Sequence, residues 1–262
     1  MGFETIKTEE IDGVYIITLA RPESKNAVNN QMWLELCQAF DFLENKEELR
    51  CCVITNEGDC FSAGADLKEI AAGTWHEPDE YLGCGFAGCT KRYISKPLIA
   101  AVNGKAVGGG IEIMMACDLA VASSDSIFSL PEPRRGLTAA GGGTLMRIMR
   151  QVPSRVAMEL MLLCEPFSAQ KALDCFLINK IVEPGKVLDA ALEMARLISL
   201  GAPLAVEYTK RTAYETLGCS LMYPSEGWDI VERYEKITQG SEDKLEGAKA
   251  FAEKRKPIWK GR

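Results

Sequence analysis

Residues 96–143 read KPLIAAVNGKAVGGGIEIMMACDLAVASSDSIFSLPEPRRGLTAAGGG, and this stretch decides the fold. The apolar run 97–102 ends at an Asn-Gly pair, which predicts a buried strand that stops at a sharp turn. An apolar segment over 111–116 predicts a helix, and a further apolar run over 119–122 predicts a second strand. Strand, helix and strand follow one another closely, as in an α/β protein.

Three glycines, Gly108, Gly109 and Gly110, precede this helix. Because glycine lacks a β-carbon, their backbone can approach a ligand closely and leave amide N–H groups free to point at it. Glu112 lies in the first turn of the helix, and Glu132 lies between two prolines, in a segment too rigid for a helix interior. The sequence thus places two carboxylates around a glycine-built anion site.

This combination indicates acid/base chemistry on a substrate that develops negative charge on oxygen. A reaction through an enolate has that requirement, since amides at a helix N-terminus can hold the oxyanion while two glutamates move protons at the neighbouring carbons. Each feature alone has an ordinary explanation: glycine runs usually serve tight packing, and a glutamate between prolines usually lies on the surface. Their coincidence favours an active site.

The composition is that of a globular protein. The chain has 262 residues, of which 47% are hydrophobic and 26% charged, so it can bury one large core with an appendage. Its formal net charge of -7 argues against nucleic acid as the main partner. The charged N-terminus lacks the apolar core of a signal peptide, and no run approaches the ~18 apolar residues of a membrane span. We therefore expect a cytoplasmic protein that binds neither nucleic acid nor membrane.

The ten cysteines and the single histidine favour neither a metal site nor a nucleophilic triad. No pair is spaced as C-x-x-C, and most cysteines lie in apolar runs, as expected of reduced core thiols. Cys84 and Cys89 could form a metal pair, but no histidine or further cysteine pair supports one. His76 lies in a polar, loop-like setting that is typical of the surface. We expect no metal and no redox cofactor.

Local patterns predict the remaining elements. Alternating residues predict a hairpin with strands over 4–10 and 14–19. Asp66 and Ser168 are each the expected N-cap of a helix, and residues 71–93 read as an irregular segment with a helix toward its end. Further strands are predicted over 51–55 and 177–182, and further helices over 31–47, 154–164, 169–176, 187–200, 204–217, 228–238 and 241–256.

These residues resemble the crotonase (enoyl-CoA hydratase/isomerase) superfamily. The resemblance implies an α/β fold, a spiral of repeated ββα units over residues 1–185 that holds the active site. A helical region over 186–262 would follow, through which homotrimers, often paired into hexamers, assemble. The matching stretches run in order over nearly the whole chain: FSAGADLKEI at 61–70, KPLIAAVNGKAVGGGIEIMMACDLAVAS at 96–123, FSLPEPRRGL at 128–137 and GAKAFAEKRKPIW at 247–259.

The resemblance also implies roles for individual residues. It pairs the backbone N–H groups of Ala65 and Gly109 as the oxyanion hole for a thioester oxygen, beside the catalytic carboxylates Glu112 and Glu132. Coenzyme A enters only as the handle of the acyl-CoA substrate. The implied substrate contacts are Lys25, Asn26, Ala63, Ala65, Asp66, Leu67, Gly108, Gly109, Phe251 and Lys254. Of these, Phe251 and Lys254 would reach the coenzyme A of a neighbouring subunit. The basic residues Lys25 and Lys254 could equally be solvated surface residues.

Superfamily members with both glutamates are chiefly hydratases. The resemblance implies that water adds across the 2,3 double bond of an enoyl-CoA, with Glu132 as the main proton donor to the α-carbon and Glu112 as the base that orients water; the reverse split stays open. Some relatives carry an isomerase or dehalogenase carboxylate where Ala139 and Ala140 stand here, so the chemistry points back to the two glutamates. The alternatives are a Δ3,Δ2-enoyl-CoA isomerase, which needs one carboxylate and no water, and a non-catalytic relative that binds acyl-CoA or RNA.

Two stretches are similar to those of carnitinyl-CoA dehydratases and their close relatives. They are LPEPRRG around Glu132 and AFAEKRKPIWKGR at the C-terminus. A trimethylammonium substrate would require an aromatic cage, which Trp75, Tyr81 or Phe86 could supply. Generic hydratases carry similar tails, and the same aromatic side chains could be walls of the acyl pocket or plain packing.

Overall fold

The computed structural model describes residues 2–138 and 141–262. The strands in that part of the chain are Ile6–Ile11 (β1), Val14–Leu19 (β2), Cys51–Asn56 (β3), Cys60–Ser62 (β4), Leu98–Val102 (β5), Lys105–Val107 (β6), Leu119–Ser123 (β7), Ile127–Ser129 (β8), Phe167–Ser168 (β9) and Lys180–Val182 (β10). The α-helices are Asn30–Asn45 (α1), Leu67–Ala72 (α2), Gly109–Ala116 (α3), Thr144–Gln151 (α4), Ser154–Leu163 (α5), Ala169–Asp174 (α6), Val187–Ser199 (α7), Pro203–Glu215 (α8), Glu226–Gln239 (α9) and Glu242–Ala252 (α10).

These strands form two sheets. The larger has six strands in the order β1-β2-β3-β5-β7-β10, all parallel except the β1–β2 hairpin. The smaller has four strands in the order β4-β6-β8-β9, and only β9 runs antiparallel to its neighbour. Three times a strand of the larger sheet is followed directly by one of the smaller: β3 by β4, β5 by β6 and β7 by β8. The chain therefore winds through both sheets, and the predicted α/β spiral of ββα units is confirmed.

Helix α1 supplies much of the apolar core. It begins at Asn29, whose side chain accepts a hydrogen bond from the Met32 N–H at 2.9 Å. Met32, Leu36, Phe40 and Leu43 follow on its inner face and are almost fully buried. Each of these side chains contributes about 1.5–3 kcal/mol by leaving water. The core they build gives the short loops between the two sheets a rigid base.

Helix α7 covers the other face of the larger sheet. It packs against β2, β3, β5 and β7 and forms a second apolar cluster with them. Helix α7, the first helix after the predicted boundary at residue 185, thus closes the core of the sheet, and the boundary itself stays a prediction. Helix α8 is joined to the body by the ion pair between Lys210 and Asp118, 2.8 Å apart. The buried residues of α7 are Val187, Ala190, Ala191 and Ala195.

Both predicted helix caps are present. Asp66 accepts a hydrogen bond from the Lys68 N–H at 3.0 Å and begins α2, and Ser168 accepts one from the Lys171 N–H at 3.2 Å and begins α6. The predicted hairpin also forms, with β1 and β2 in antiparallel register. Turn and cap chemistry is local, so sequence patterns identify it without knowledge of the packing.

The helix predicted toward Tyr93 is wrong. Only short 3-10 turns form in this segment, at Asp79–Tyr81 and Phe86–Gly88. Glycines at 83, 85 and 88 adopt positive φ angles and interrupt any continuous helix. The prediction that rests on Ala139 and Ala140 lies outside the described residues. No helix within the described ranges is long and apolar enough to cross a membrane.

Candidate active site

The backbone of the segment before α3 allows a ligand to approach it closely. Gly108 adopts φ 54° and ψ −116°, a conformation that residues with a β-carbon rarely adopt. Its N–H donates to the Ser129 carbonyl at 2.8 Å, and its carbonyl accepts from the N–H groups of Ile111 and Glu112 at 2.8 and 3.2 Å. These bonds aim the first turn of α3 and place Glu112 directly beside the glycine turn.

A second glycine loop lies against the first. Gly64 has φ 87°, and a β-carbon on it would lie 2.7 Å from the Gly109 nitrogen. The Val28 N–H donates to the Gly64 carbonyl at 2.7 Å, and the Asp66 N–H donates to the Val28 carbonyl at 3.0 Å. These two bonds fix the peptides on either side of Ala65.

The amides of Ala65 and Gly109 are therefore held close together by these loops. Neither N–H donates a hydrogen bond to any of the residues described, 2–138 and 141–262. Gly109 is the first residue of α3, so the partial positive charge of the helix N-terminus adds to its N–H. Two adjacent amides without an internal acceptor can stabilise an oxygen that becomes negative.

Glu112 is buried, with a relative exposure of 6%. Its Oε1 accepts a hydrogen bond from the Gly142 N–H at 2.7 Å. Burial raises the pKa of Glu112, because the charged form loses hydration, whereas the Gly142 N–H and the positive charge of Arg147 lower it. The carboxylate thus has partners that favour its ionised form within an apolar setting.

Glu132 lies in a different environment. It begins the 3-10 turn Glu132–Arg135, and a β-carbon on Gly108 would lie 2.8 Å from its Oε1. Its Oε2 is buried and accepts no hydrogen bond from the described part of the chain. Burial raises the pKa of Glu132, and the negative charge of Glu112 raises it further. The two carboxyl groups therefore lie at one glycine turn, where the charge on Glu112 favours the protonated form of Glu132.

Aromatic side chains wall the site on one side. A β-carbon on Gly109 would lie 2.6 Å from Cε1 of Phe86, so the ring of Phe86 presses on the helix start. The Phe86 ring packs against Trp33 and Trp75, with centroids 5.5 and 6.1 Å away, and the two indoles are 4.9 Å apart. Both indole N–H groups bond backbone carbonyls, those of Gly85 and Val28, at 3.0 and 3.1 Å.

The structure does not join the three expected aromatic residues into one cage. Trp75 and Phe86 meet, but the third member of their cluster is Trp33. Tyr81 lies beside Asp41 instead, and burial together with that carboxylate raises the pKa of Tyr81 to about 12. Sequence patterns do not identify Trp33 as part of this cluster, because it lies on α1, more than forty residues from Trp75 and Phe86.

The loop expected to meet coenzyme A contains one surface residue and one core residue. Lys25 is exposed, and its carbonyl accepts from the Ala63 N–H at 2.9 Å. Asn26 is fully buried. Its amide donates to the carbonyls of Glu57 and Cys60 at 2.9 and 2.7 Å, and its oxygen accepts from a backbone N–H. The Asn26 side chain thus holds the loop in place, and its expected contact with the substrate stays a prediction.

The remaining expected contacts lie in two places. Leu67 is half exposed at the start of α2, beside Asp66, whose carboxylate lies 3.3 Å from the Arg21 guanidinium. Phe251 is 88% exposed near the end of α10, and Lys254 follows that helix with φ 52°. The described residues thus leave most of the Phe251 side chain uncovered.

The expected surface position of the histidine and burial of the thiols are also visible. His76 is exposed, and eight of the ten cysteines are buried, among them Cys89. Within the described ranges, no three side chains of Cys, His, Asp or Glu cluster in a way that could hold a metal ion. The groups that can perform chemistry at the glycine turn are carboxylates and backbone amides.

Sequence comparison places the whole of this arrangement in one family. The enoyl-CoA hydratase/isomerase family profile matches residues 9–262. The chain belongs to this family. The match covers both glycine loops, both glutamates and the C-terminal helices, so family membership extends over the site as well as the sheets.

Individual family members are similar over nearly their full length. The carnitinyl-CoA dehydratase of Salmonella enteritidis is 38% identical over 254 residues, which are 94% of each chain. A crystal structure of enoyl-CoA hydratase from Mycobacterium tuberculosis matches with a TM-score of 0.89 and 40% identity, covering 98% of this chain and 99% of that one. A carnitinyl-CoA dehydratase structure from Mycobacterium avium matches with a TM-score of 0.78 and 42% identity over the same shares.

Proposed function

We propose that this protein is an enoyl-CoA hydratase or dehydratase, a hydro-lyase that adds water to, or removes it from, the 2,3 bond of an acyl-CoA thioester. The observation that carries the proposal is the glycine turn of α3. There, the buried carboxyl group of Glu112 and the half-buried one of Glu132 adjoin two amides whose N–H groups have no acceptor among the described residues. The names of the similar family members support the same reaction class.

The oxyanion hole activates the substrate. The thioester carbonyl accepts hydrogen bonds from the N–H groups of Ala65 and Gly109. These hydrogen bonds strengthen as negative charge develops on the oxygen. One such donor typically contributes 10²–10³ in rate, about 2.7–4 kcal/mol. Because both donors are backbone groups held by glycine loops, they cost no reorganisation during the reaction.

The two glutamates then divide the proton transfers. Glu112, favoured in its ionised form by the Gly142 N–H, takes a proton from water as the water oxygen bonds to C3. The π electrons of the C2–C3 bond shift through C1 to the thioester oxygen and form the enolate. Glu132, favoured in its protonated form by burial and by the charge of Glu112, delivers its proton to C2. Dehydration is the same sequence reversed.

The acyl group and the coenzyme A handle define the substrate. We propose that coenzyme A lies along Lys25, Ala63, Asp66 and Leu67, and that no cofactor is needed beyond it. The aromatic cluster packs against the acyl end. The carnitinyl-CoA dehydratases among the similar proteins make a betaine-type acyl group one candidate, although the cluster is closed on itself and is not an open cage.

Assembly and location complete the proposal. We propose a cytoplasmic homotrimer or hexamer in which Phe251 and Lys254 of one subunit contact the coenzyme A of the next. The exposure of Phe251 supports this, because a large apolar side chain at 88% exposure gains most from a partner. Contact with coenzyme A in a neighbouring subunit would also place the basic Lys254 near phosphate groups.

The test is a turnover screen with purified protein. Loss of the enoyl-thioester absorbance is followed with crotonyl-CoA and with branched, aromatic and betaine-type 2-enoyl-CoAs, and 3-enoyl-CoAs are assayed for isomerisation. Hydration of at least one 2-enoyl-CoA that is abolished in Glu132→Gln supports the proposal. Isomerisation without hydration, and with undiminished rate in Glu112→Gln, would replace it by the one-carboxylate isomerase.

A further inference from the structure

The Gly142 residue, whose N–H donates to Glu112, is itself held by the side chain of Arg147. The Gly142 peptide donates its N–H to Glu112 at 2.7 Å, while its carbonyl accepts from the guanidinium of Arg147 on α4. A β-carbon on Gly142 would lie 2.6 Å from Cδ of Glu112, so this peptide lies directly on the carboxyl group. Glu112 and Arg147 thus hold the backbone of Gly142 from both sides, the first at its N–H and the second at its carbonyl.

Arg147 holds a second segment as well. Its other terminal nitrogen donates to the Thr90 carbonyl at 2.6 Å. Thr90 ends the same loop that carries Phe86, whose ring presses on Gly109. A single planar guanidinium therefore joins the peptide on Glu112 to the loop behind the oxyanion hole, which one fork of N–H donors can do and a lysine ammonium cannot reproduce.

The charge of Arg147 is not neutralised by an ion pair. No carboxylate of residues 2–138 or 141–262 lies within 4.0 Å of its guanidinium nitrogens. Both of its described acceptors are neutral carbonyls, and the side chain is half-buried. Its positive charge lowers the pKa of Glu112. The titratable and charged groups that face Glu112 are Arg147 from α4, Glu132 from the 3-10 turn and Cys89 from the loop before β5.

We propose that Arg147 is a positioning residue for Glu112. Its guanidinium clamps the Gly142 and Thr90 carbonyls together, so that the Gly142 N–H stays on the Glu112 carboxylate and that carboxylate stays ionised and aimed at the water. The inference rests on the proposed hydratase function and adds to it the device that keeps its base in place.

Two variants separate the clamp from the charge. Arg147→Met removes both, and we expect kcat for hydration to fall about 10–100-fold, as for a misplaced catalytic group, while KM changes little. The acidic limb of the pH profile should move to higher pH, because the Glu112 carboxyl loses the charge that lowers its pKa. Arg147→Lys keeps the charge but cannot bond both carbonyls, so its kcat should fall with the limb near its original position.

The matched control is Arg150→Met. Arg150 lies one turn later on α4 and is exposed, and within the described part of the chain its side chain bonds only the Met146 carbonyl of its own helix, at 3.2 Å. It should leave kcat and the pH profile unchanged. An unchanged kcat in folded Arg147→Met, or a rise of KM alone, would overturn the proposal. Should Arg147→Met fail to fold by circular dichroism, Arg147→Lys decides, and wild-type kcat in that variant would also overturn the clamp.

A titration without turnover keeps the two proposals apart. The δ-carbon resonance of Glu112 is followed against pH in ¹³C-glutamate-labelled protein and assigned by its disappearance in Glu112→Gln. Its midpoint should move to higher pH in Arg147→Met and not in Arg150→Met. An unmoved midpoint would refute the role of Arg147 even in an active enzyme. If the wild type hydrates no enoyl-CoA while the midpoint still moves in Arg147→Met, the hydratase function alone is refuted.

Discussion

The substitution Gly109→Ala tests the oxyanion hole through the backbone. Its β-carbon would lie 2.6 Å from Cε1 of Phe86 and 2.9 Å from Cα of Gly64. Carbon atoms in contact prefer about 3.5 Å, so the Gly109 peptide must retreat by roughly 0.6–0.9 Å. The phenyl ring can tilt aside, but Cα of Gly64 belongs to the loop that carries the second donor, Ala65. The retreat therefore opens the distance between the two amides.

The expected cost follows from what one donor contributes. Displacement of a reacting group by about 1 Å can cost 10²-fold in rate, and loss of an oxyanion donor costs about 10²–10³ in kcat, or 2.7–4 kcal/mol. We therefore expect kcat/KM of Gly109→Ala for a 2-enoyl-CoA to fall by about 10²-fold or more. Binding of free coenzyme A should change little, because it makes no use of the oxyanion hole.

The assay is steady-state hydration followed by absorbance, with a second glycine as control. A β-carbon on Gly218 would meet no atom within 4 Å among residues 2–138 and 141–262 apart from its chain neighbours, so Gly218→Ala should retain full activity. The double variant Gly109→Ala with Phe86→Leu should stay impaired, because the contact with the Gly64 backbone remains. A folded Gly109→Ala protein with kcat/KM within about threefold of wild type would refute the assignment of this amide, as would full recovery in the double variant.

Three further changes test other parts of the site. Glu132→Gln should lower hydration by about 10²–10⁴ without loss of coenzyme A affinity. Burial raises the pKa of Glu132, so its ionisation destabilises the folded state once the pH exceeds the pKa of this carboxyl group in the unfolded chain. The melting temperature of Glu132→Gln should therefore exceed that of wild type at pH 8 and not at pH 4. An equal gain at both pH values would contradict this. Asn26→Ala should cost about 2–4 kcal/mol in urea unfolding, since three backbone groups lose a buried partner, while exposed Asn45→Ala should cost under about 1 kcal/mol. Lys254→Ala should raise KM for acyl-CoA with kcat unchanged if it serves a neighbouring subunit, and an unchanged KM would remove it from the site.

The chemistry of this site was largely readable from the sequence. Glycines at 108–110 and the carboxylates Glu112 and Glu132 stand within one short stretch, and the second loop, FSAGADLKEI, carries its own glycine and helix cap. Such signals are local, because turn geometry, helix capping and helix polarity depend on residues a few positions apart. The strands of the hairpin and of the parallel sheet were predictable for the same reason.

Sequence patterns could not predict features that depend on contacts between distant segments. The segment before Tyr93 contains helix-forming residues, yet glycines with positive φ and contacts to α1 hold it in short turns. The strand pattern ends near residue 185, but it does not show that the small residues of α7 pack into the core of the larger sheet. Neither outcome could be derived from periodicity, since each depends on surfaces that distant segments provide.

By itself, then, the sequence determined the strands of the six-stranded sheet, most of the helices, the two glycine loops and the presence of two acidic groups, but not the short strands of the smaller sheet. Only the tertiary structure decided that Trp33 joins Phe86 behind Gly109, that Asn26 is a buried support, and that Arg147 reaches both Gly142 and Thr90. These contacts join residues up to 57 positions apart. They form because the two sheets, once packed, bring loop ends together at distances that no local pattern records.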